Sequence, residues 1–129
     1  MTTFKNPDLL PLFAEAKMLL EPYVRHFTVR RDEPGYYDLW SEKDVVIEGR
    51  KHKEVFFAGL IIQKAYVGFY YMPIYSDAER AREFFGPELL ALLKGKSCFR
   101  LKKLTPEIRS QMAQALEKGF ELYRSRGWV

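Results

Sequence analysis

Two neighbouring stretches, EVFFAGLII at residues 54–62 and YVGFYYMPIY at residues 66–75, decide the fold of this chain. Both are rich in valine, isoleucine, phenylalanine and tyrosine, the residues that favour strands. Both are apolar at odd and even positions alike, which is typical of a strand inside a sheet. Because only a short turn separates them, they predict an antiparallel pair at the centre of the sheet.

Further strands are predicted on either side of this pair, at residues 27–31, 36–48 and 98–102. Within 36–48 acidic side chains alternate with valine and isoleucine. That alternation indicates a strand with one face in water, near an edge of the sheet.

Helical spacing of apolar residues surrounds the strands, and each predicted helix start carries a recognised signal. The starts are Asn6 with Pro7, Ser76 with Glu79 as a capping box, Pro87 after Gly86, and Thr105 with Pro106. Gly95 is predicted to end the leucine-rich helix after Pro87, because glycine ends a helix at little steric cost.

The predicted order is helix, strands, helices, strand and helix, which is typical of an α+β fold. We expect an antiparallel sheet of about five strands with helices packed on one face. The chain has 129 residues, 47% of them hydrophobic, which fits a single domain over residues 1–129.

Composition excludes several classes of protein. The single cysteine, Cys98, cannot form an internal disulfide, so we expect a reducing, cytoplasmic location. The first residues lack a signal-peptide pattern, and the longest apolar runs are too short to span a bilayer, so no membrane partner is expected. The net charge of +4 comes from basic residues interspersed with acidic ones, which permits anionic partners without requiring them.

Residues 66–109, which read YVGFYYMPIY, a helical insert and LLKGKSCFRLKKLTPEIR, resemble the YdhG-like family, domain of unknown function 1801. In that family an aromatic strand precedes a helix, a Gly-Lys-rich turn, a short strand and a proline-capped last helix. The resemblance implies a frataxin-like sandwich and a role as an iron chaperone. It implies no particular catalytic or metal-binding residue, and this chain is net basic where frataxins carry an acidic ridge.

One cluster could bind a metal. Glu42, Asp44 and Glu48 are predicted to project from one face of the strand at 36–48, and carboxylates are ligands of hard cations. Iron is the cofactor that this trio and the resemblance suggest together. The alternative is a solvated strand face whose charges prevent edge-to-edge pairing.

A second cluster could bind a ligand. Basic residues concentrate at 50–53 and at 94–103, and aromatic residues exceed the needs of one small core. The predicted ligand-binding residues are Tyr66, Tyr70, Trp40, Arg100 and Lys102. The alternatives are solvated basic turns, ordinary core packing and a homodimer surface on the tyrosine-rich face. No aromatic residue is predicted among the outward positions of the basic clusters, which argues against base stacking.

No arrangement of residues points to catalysis, because neither histidine lies in a recognisable motif with a nucleophile. The leading hypothesis is a small binding or accessory protein for iron or a small ligand. The alternative is a nucleic-acid-binding module that uses both basic clusters, and an enzyme of unknown reaction ranks third.

Overall fold

The structure, a computed structural model, describes residues 6–47, 49–76, 79 and 82–129. Within these residues the chain forms a six-stranded antiparallel sheet, a separate two-stranded sheet and several helices. The predicted α+β class with an antiparallel sheet is therefore confirmed, and the main sheet has six strands where about five were expected.

The strands are short, and two of them form the centre of the main sheet. In chain order they are β1 Asp32–Glu33, β2 Tyr36–Ser41, β3 Val45–Ile47, β4 Arg50–His52, β5 Val55–Ile62, β6 Val67–Tyr71, β7 Leu93–Lys94 and β8 Cys98–Leu101. The main sheet has the order β1-β2-β5-β6-β8-β7, and β3 pairs only with β4. The two stretches that are apolar on both faces, β5 and β6, lie at the centre, as predicted.

The helices precede, interrupt and follow the strands. Those with defined bounds among the described residues are α1 Leu10–Leu20, α2 Pro73–Ser76, α3 Pro87–Leu90 and α4 Pro106–Ser125, and 3₁₀ turns at Pro7–Leu9 and Glu21–His26 flank α1. The predicted start of the last helix is confirmed, since the Thr105 side chain accepts a hydrogen bond from the Ile108 amide. The Asn6 side chain likewise accepts one from the Asp8 amide, although the first turn is 3₁₀.

The two faces of the main sheet differ in burial. Alternate residues point to opposite sides of a strand, and directly paired residues share a side. One side carries fully buried core residues, among them Leu39, Leu60, Phe69, Tyr71 and Phe99. The other side, which we call the aromatic face, carries the half-buried residues Tyr36, Trp40, Phe56, Ile61 and Tyr70.

Helix α4 lies very close to strand β6 where Tyr71 meets Gly119. Tyr71 is fully buried, and its hydroxyl donates a hydrogen bond to the Ala115 carbonyl one turn earlier in α4. A Cβ atom on Gly119 would overlap that hydroxyl and would lie 2.9 Å from Pro73 Cγ. The contact between helix and sheet therefore requires a glycine at position 119.

A buried carboxylate organises the segment before β1. Asp38 is 6% exposed, and its Oδ1 accepts hydrogen bonds from the backbone amides of Arg30 at 2.9 Å and Arg31 at 2.8 Å. Its Oδ2 accepts one from Trp40 Nε1 at 3.1 Å. Asp38 thus holds the Arg30 and Arg31 backbone against the edge of β2, where few regular strand-pairing hydrogen bonds are formed.

The predicted strand at 36–48 is wrong in its extent, because β2 ends at Ser41 and the chain pairs again only from Val45. The Ser41 hydroxyl donates to the Trp128 carbonyl and accepts from the Lys43 amide at 3.4 Å. These side-chain hydrogen bonds compete with continued strand pairing. Residues beyond the break form the β3–β4 hairpin, a separate sheet that the alternation of charges did not indicate.

Three other boundaries differ from the predictions. The strand predicted at 27–31 is reduced to a single bridge between Thr28 and Trp40. The strand predicted at 66–75 ends at Tyr71, because α2 begins at Pro73; that helix therefore starts before Ser76, whose side chain lies outside the described residues. Gly95 caps no helix: its φ of +70° places it in the turn between β7 and β8.

Candidate functional site

A basic pocket opens at the end of the sheet where β6 begins and β8 ends. Its volume is about 470 Å³, and its polar wall consists of Lys94, Arg100, Lys102, Lys103 and Tyr66. Its apolar wall consists of Ala65, Ala91, Leu92 and Ile108. Three of the predicted ligand-binding residues, Tyr66, Arg100 and Lys102, therefore lie together, although their segments are more than 30 residues apart in the chain.

Strand pairing explains why these residues meet. Val67 pairs with Leu101 and Gly68 with Arg100, so Tyr66 and Lys102 follow at the same end of the sheet. Strand β7 adds Lys94, which pairs with Cys98, and the Arg100 amide donates to the Leu92 carbonyl at 3.0 Å. Among the lining residues Lys94 and Arg100 lie in strands, and Tyr66 and Lys102 lie directly beside the ends of β6 and β8.

The charge of the basic pocket is unbalanced. Among the described residues no acidic side chain lines it, and none of Lys94, Arg100, Lys102 and Lys103 forms an ion pair there. Some cations elsewhere on the surface do have carboxylate partners: Lys17, Arg31, Arg109 and Arg124 contact one each, and Arg30 contacts two. Four positive charges that no described carboxylate balances therefore converge on this one cavity.

An aromatic ring from outside the basic clusters accompanies these cations. The Arg100 guanidinium carbon lies 4.9 Å from the centre of the Tyr66 ring, in the range of a cation–π contact. Tyr66 is half-buried, so part of its ring faces the cavity. The sequence does not indicate this contact, because Tyr66 directly precedes β6 and Arg100 lies in β8, and the pairing of these strands is a long-range event.

The two remaining predicted ligand residues, Tyr70 and Trp40, lie on the aromatic face and do not line the basic pocket. Tyr70 borders a smaller cavity of about 140 Å³, and its ring lies over Gly68, where a Cβ atom would be 2.8 Å from Tyr70 Cε2. Trp40 is covered by Arg30, whose guanidinium carbon is 4.2 Å from the ring centre. The five predicted ligand-binding residues therefore lie at two separate places. Tyr66, Arg100 and Lys102 line the basic pocket, whereas Tyr70 and Trp40 lie on the aromatic face.

Cys98 lies between the two places, and its thiol is a weak acid. Burial raises the pKa of Cys98 above its ordinary value, while the hydrogen bond with Tyr70 and the charge of Arg100 act in the opposite direction. Burial likewise raises the pKa of Tyr70. The thiolate, which is the reactive form of cysteine, is therefore scarce at neutral pH.

We expect alkylation of Cys98 by iodoacetamide to require a higher pH in the folded protein than in the urea-unfolded chain. The reason is the sign of the shift: a raised pKa moves the midpoint of the rate–pH profile upward. Mass spectrometry of quenched samples measures the profile. The Arg100→Gln variant should move the folded midpoint further upward, since Arg100 favours the thiolate; a folded midpoint at or below the unfolded one would contradict the assignment.

The other predicted basic cluster, residues 50–53, forms the β3–β4 hairpin and its flank. Lys51, His52 and Lys53 border a shallow cavity of about 410 Å³ together with Asp44 and Val46. This hairpin precedes β5, whereas the basic pocket lies beyond the other end of that strand. Eight residues of β5 separate them by about 25 Å, at roughly 3.3 Å per residue. The two basic clusters do not form one patch.

The predicted metal trio is only partly described, because Glu48 lies outside the described residues. Glu42 follows the end of β2 and Asp44 precedes β3, so the two do not share a strand. Glu42 lies 3.4 Å from the Arg30 guanidinium, which is a competing partner. Within the described ranges no group of three or more His, Cys, Asp or Glu side chains is placed to hold a metal ion.

Sequence reasoning missed the apolar wall of the basic pocket. In the sequence Ile108 looks like part of the apolar face of the last helix and Leu92 like part of the leucine-rich segment after Pro87, yet both contribute to the cavity. No local pattern distinguishes an apolar residue that lines a cavity from one that fills a core. Lys94 and Lys103 were identified as part of a basic cluster, and that composition was the only available signal.

Comparison with known proteins identifies no relative. No family model matches the chain, and no curated protein or solved structure matches it at a significant level. The resemblance to the YdhG-like family and to frataxin therefore stays a prediction. Among the described residues, no helix has the length and apolar character needed to cross a membrane.

Proposed function

We propose that this protein binds a small anionic ligand in the basic pocket. The observation that carries the proposal is the group of four cations, Lys94, Arg100, Lys102 and Lys103, around one cavity that no described acidic side chain lines. Like charges repel, and the repulsion is relieved when an anion enters. The sequence suggests a binding protein for iron or a small ligand, and this proposal corresponds to the second of these.

The apolar wall supports a small molecule rather than a bare ion. Ala91, Leu92 and Ile108 offer carbon surface beside the charged groups. Ligand sites characteristically combine such surface with a few convergent polar groups, in cavities of about 300–1,000 Å³. The volume of about 470 Å³ lies in that range.

The test is isothermal titration with pyrophosphate at low salt. The double variant Arg100→Gln, Lys102→Gln should bind roughly 100-fold more weakly, because each charge-assisted hydrogen bond contributes about 1.5–3 kcal/mol. Lys51→Gln, Lys53→Gln is the matched control: it removes the same charge from the β3–β4 hairpin and should bind within about twofold of the wild type.

Equal weakening in the two double variants would mean that net charge, and not the basic pocket, attracts the anion. Unchanged binding in the Arg100, Lys102 variant would place the anion elsewhere. Thermal unfolding of each variant without ligand checks that the fold is retained. All four substituted side chains are exposed, so little loss of stability is expected.

A nucleic-acid-binding function is the second candidate, and one observation favours it: exposed basic clusters lie at both ends of the main sheet. A strand of nucleic acid that follows the sheet would contact both. Retardation of a single-stranded oligonucleotide should then weaken in both double variants, with a steep dependence on salt. A small ligand in the basic pocket predicts weakening in only one of them.

The iron-binding version rests on the resemblance and on Glu42, Asp44 and Glu48. Geometry favours it less than anion binding, because Glu42 already contacts Arg30. Anaerobic titration of ferrous iron into the wild type and the triple variant Glu42→Ala, Asp44→Ala, Glu48→Ala tests it directly. Identical weak binding by both proteins would remove the trio as a site.

A further inference from the structure

The composition of the basic pocket restricts the chemistry of its ligand beyond the sign of its charge. Four cations line the cavity, so a monocarboxylate would leave most of the positive charge unbalanced. A phosphate monoester carries about −1.5 to −2 charges near pH 7 and offers three strong acceptor oxygens. The planar guanidinium of Arg100 matches two of those oxygens, while the lysines act as point charges.

The aromatic wall restricts the rest of the ligand. Tyr66 and the Arg100 guanidinium already form a cation–π pair with 4.9 Å between the guanidinium carbon and the ring centre. A planar ring that enters the cavity can stack beside this pair, since both arginine and aromatic rings stack on planar bases. Ala91 and Leu92 provide further apolar contact for such a ring.

The size of the basic pocket agrees with one such ligand. A volume of about 470 Å³ exceeds what an inorganic phosphate fills and falls within the range of cavities that hold a single drug-sized molecule. Ile108, in the first turn of the 20-residue helix α4, also lines the cavity. The positive end of the helix dipole therefore adds to the potential of the lysines and Arg100.

We infer that the ligand is a phosphate ester that carries a planar ring, with the phosphate at Arg100 and Lys102 and the ring against Tyr66. A nucleoside monophosphate is the simplest member of this class. The inference rests on the proposed function, because it takes anion binding in the basic pocket as its starting point. It adds a chemical class and a specific role for Tyr66.

The experiment compares three probes by isothermal titration: adenosine monophosphate, ribose 5-phosphate and adenosine. We expect adenosine monophosphate to bind about tenfold more tightly than ribose 5-phosphate, which is the gain typical of stacking one base. Adenosine should bind more weakly than either phosphate. In Tyr66→Leu the advantage of adenosine monophosphate over ribose 5-phosphate should disappear, and in Tyr66→Phe it should persist.

Equal affinity of the wild type for adenosine monophosphate and ribose 5-phosphate would overturn the inference and leave anion binding intact. An advantage that survives in Tyr66→Leu would also overturn it, because the ring would then lie elsewhere. If Arg100→Gln, Lys102→Gln binds both phosphates as tightly as the wild type, the proposed function itself fails. Lys51→Gln, Lys53→Gln should leave all three affinities unchanged; a loss there equal to that in Arg100→Gln, Lys102→Gln would show that net charge, and not the basic pocket, attracts the probes.

Discussion

Replacing Gly119 by alanine is expected to lower the free energy of unfolding by about 2–4 kcal/mol, although the same change in an exposed helix usually raises it by roughly 0.5–1 kcal/mol. The added methyl group would overlap the Tyr71 hydroxyl and crowd Pro73. Overpacking of a core costs about 1–3 kcal/mol. Displacing the hydroxyl from the Ala115 carbonyl adds the cost of a buried polar group without its partner.

A double-mutant cycle distinguishes this explanation from a general intolerance of helix α4. Tyr71→Phe removes the atom that the new methyl group would meet first, so the double variant Gly119→Ala, Tyr71→Phe should be more stable than Gly119→Ala alone. Urea denaturation followed by circular dichroism measures all four proteins. Lys118→Ala, an exposed change at the neighbouring position of the same helix, is the control and should stay within about 0.5 kcal/mol of the wild type. Simple additivity of the two changes would contradict the proposed contact.

Replacing Asp38 by alanine is expected to have an effect of similar size, a loss of about 2–4 kcal/mol. The variant removes the acceptor for the Arg30 and Arg31 amides and for Trp40 Nε1. Hydrogen bonds to a charged group contribute about 1.5–3 kcal/mol each, and part of this loss is recovered because the segment is near solvent. Urea denaturation gives the change, and indole fluorescence reports the altered surroundings of Trp40.

Asp32→Ala is the matched control for Asp38→Ala. Asp32 lies in β1, is exposed, and contacts Lys17 at 2.7 Å on the surface. Surface ion pairs contribute about 0–1 kcal/mol, so this variant should be almost as stable as the wild type. Equal losses in the two aspartate variants would show that removal of any acidic residue from this basic protein is destabilising, independent of the hydrogen bonds.

The elements that could be predicted are those whose position is determined by patterns within their own residues. Strands β5 and β6 are apolar on both faces, and α4 begins with a threonine cap and a proline, so both were located from local patterns. The end of β2 at Ser41 could not be predicted from a local pattern, because it depends on a hydrogen bond to the Trp128 carbonyl, 87 residues away. Gly95 was misassigned because glycine with positive φ serves a hairpin turn as well as a helix end.

The residues of the candidate site could likewise be predicted from local patterns, but their arrangement could not. Arg100 and Lys102 were identified from composition and Tyr66 from aromatic density, but nothing local indicates that β6 pairs with β8. Trp40 was grouped with them for its aromatic character alone, although it lies on a different strand near the other end of the sheet. The order of the strands in the sheet decides which of these residues line the same pocket, and chemical type alone does not indicate that order.

The short outer strands of the main sheet limit edge-to-edge pairing between copies of this protein. β1 and β7 have two residues each. Next to them, the carbonyls of Arg31 and Leu92 accept further backbone hydrogen bonds from β2 and β8, so part of the remaining edge of these strands is also paired. Few main-chain groups at these two margins are left for a neighbour to pair with. Growth of the main sheet from one molecule into the next, the first step toward fibrils, is therefore disfavoured at both margins, whereas the β3–β4 hairpin, whose described strands pair only with each other, keeps edges of its own.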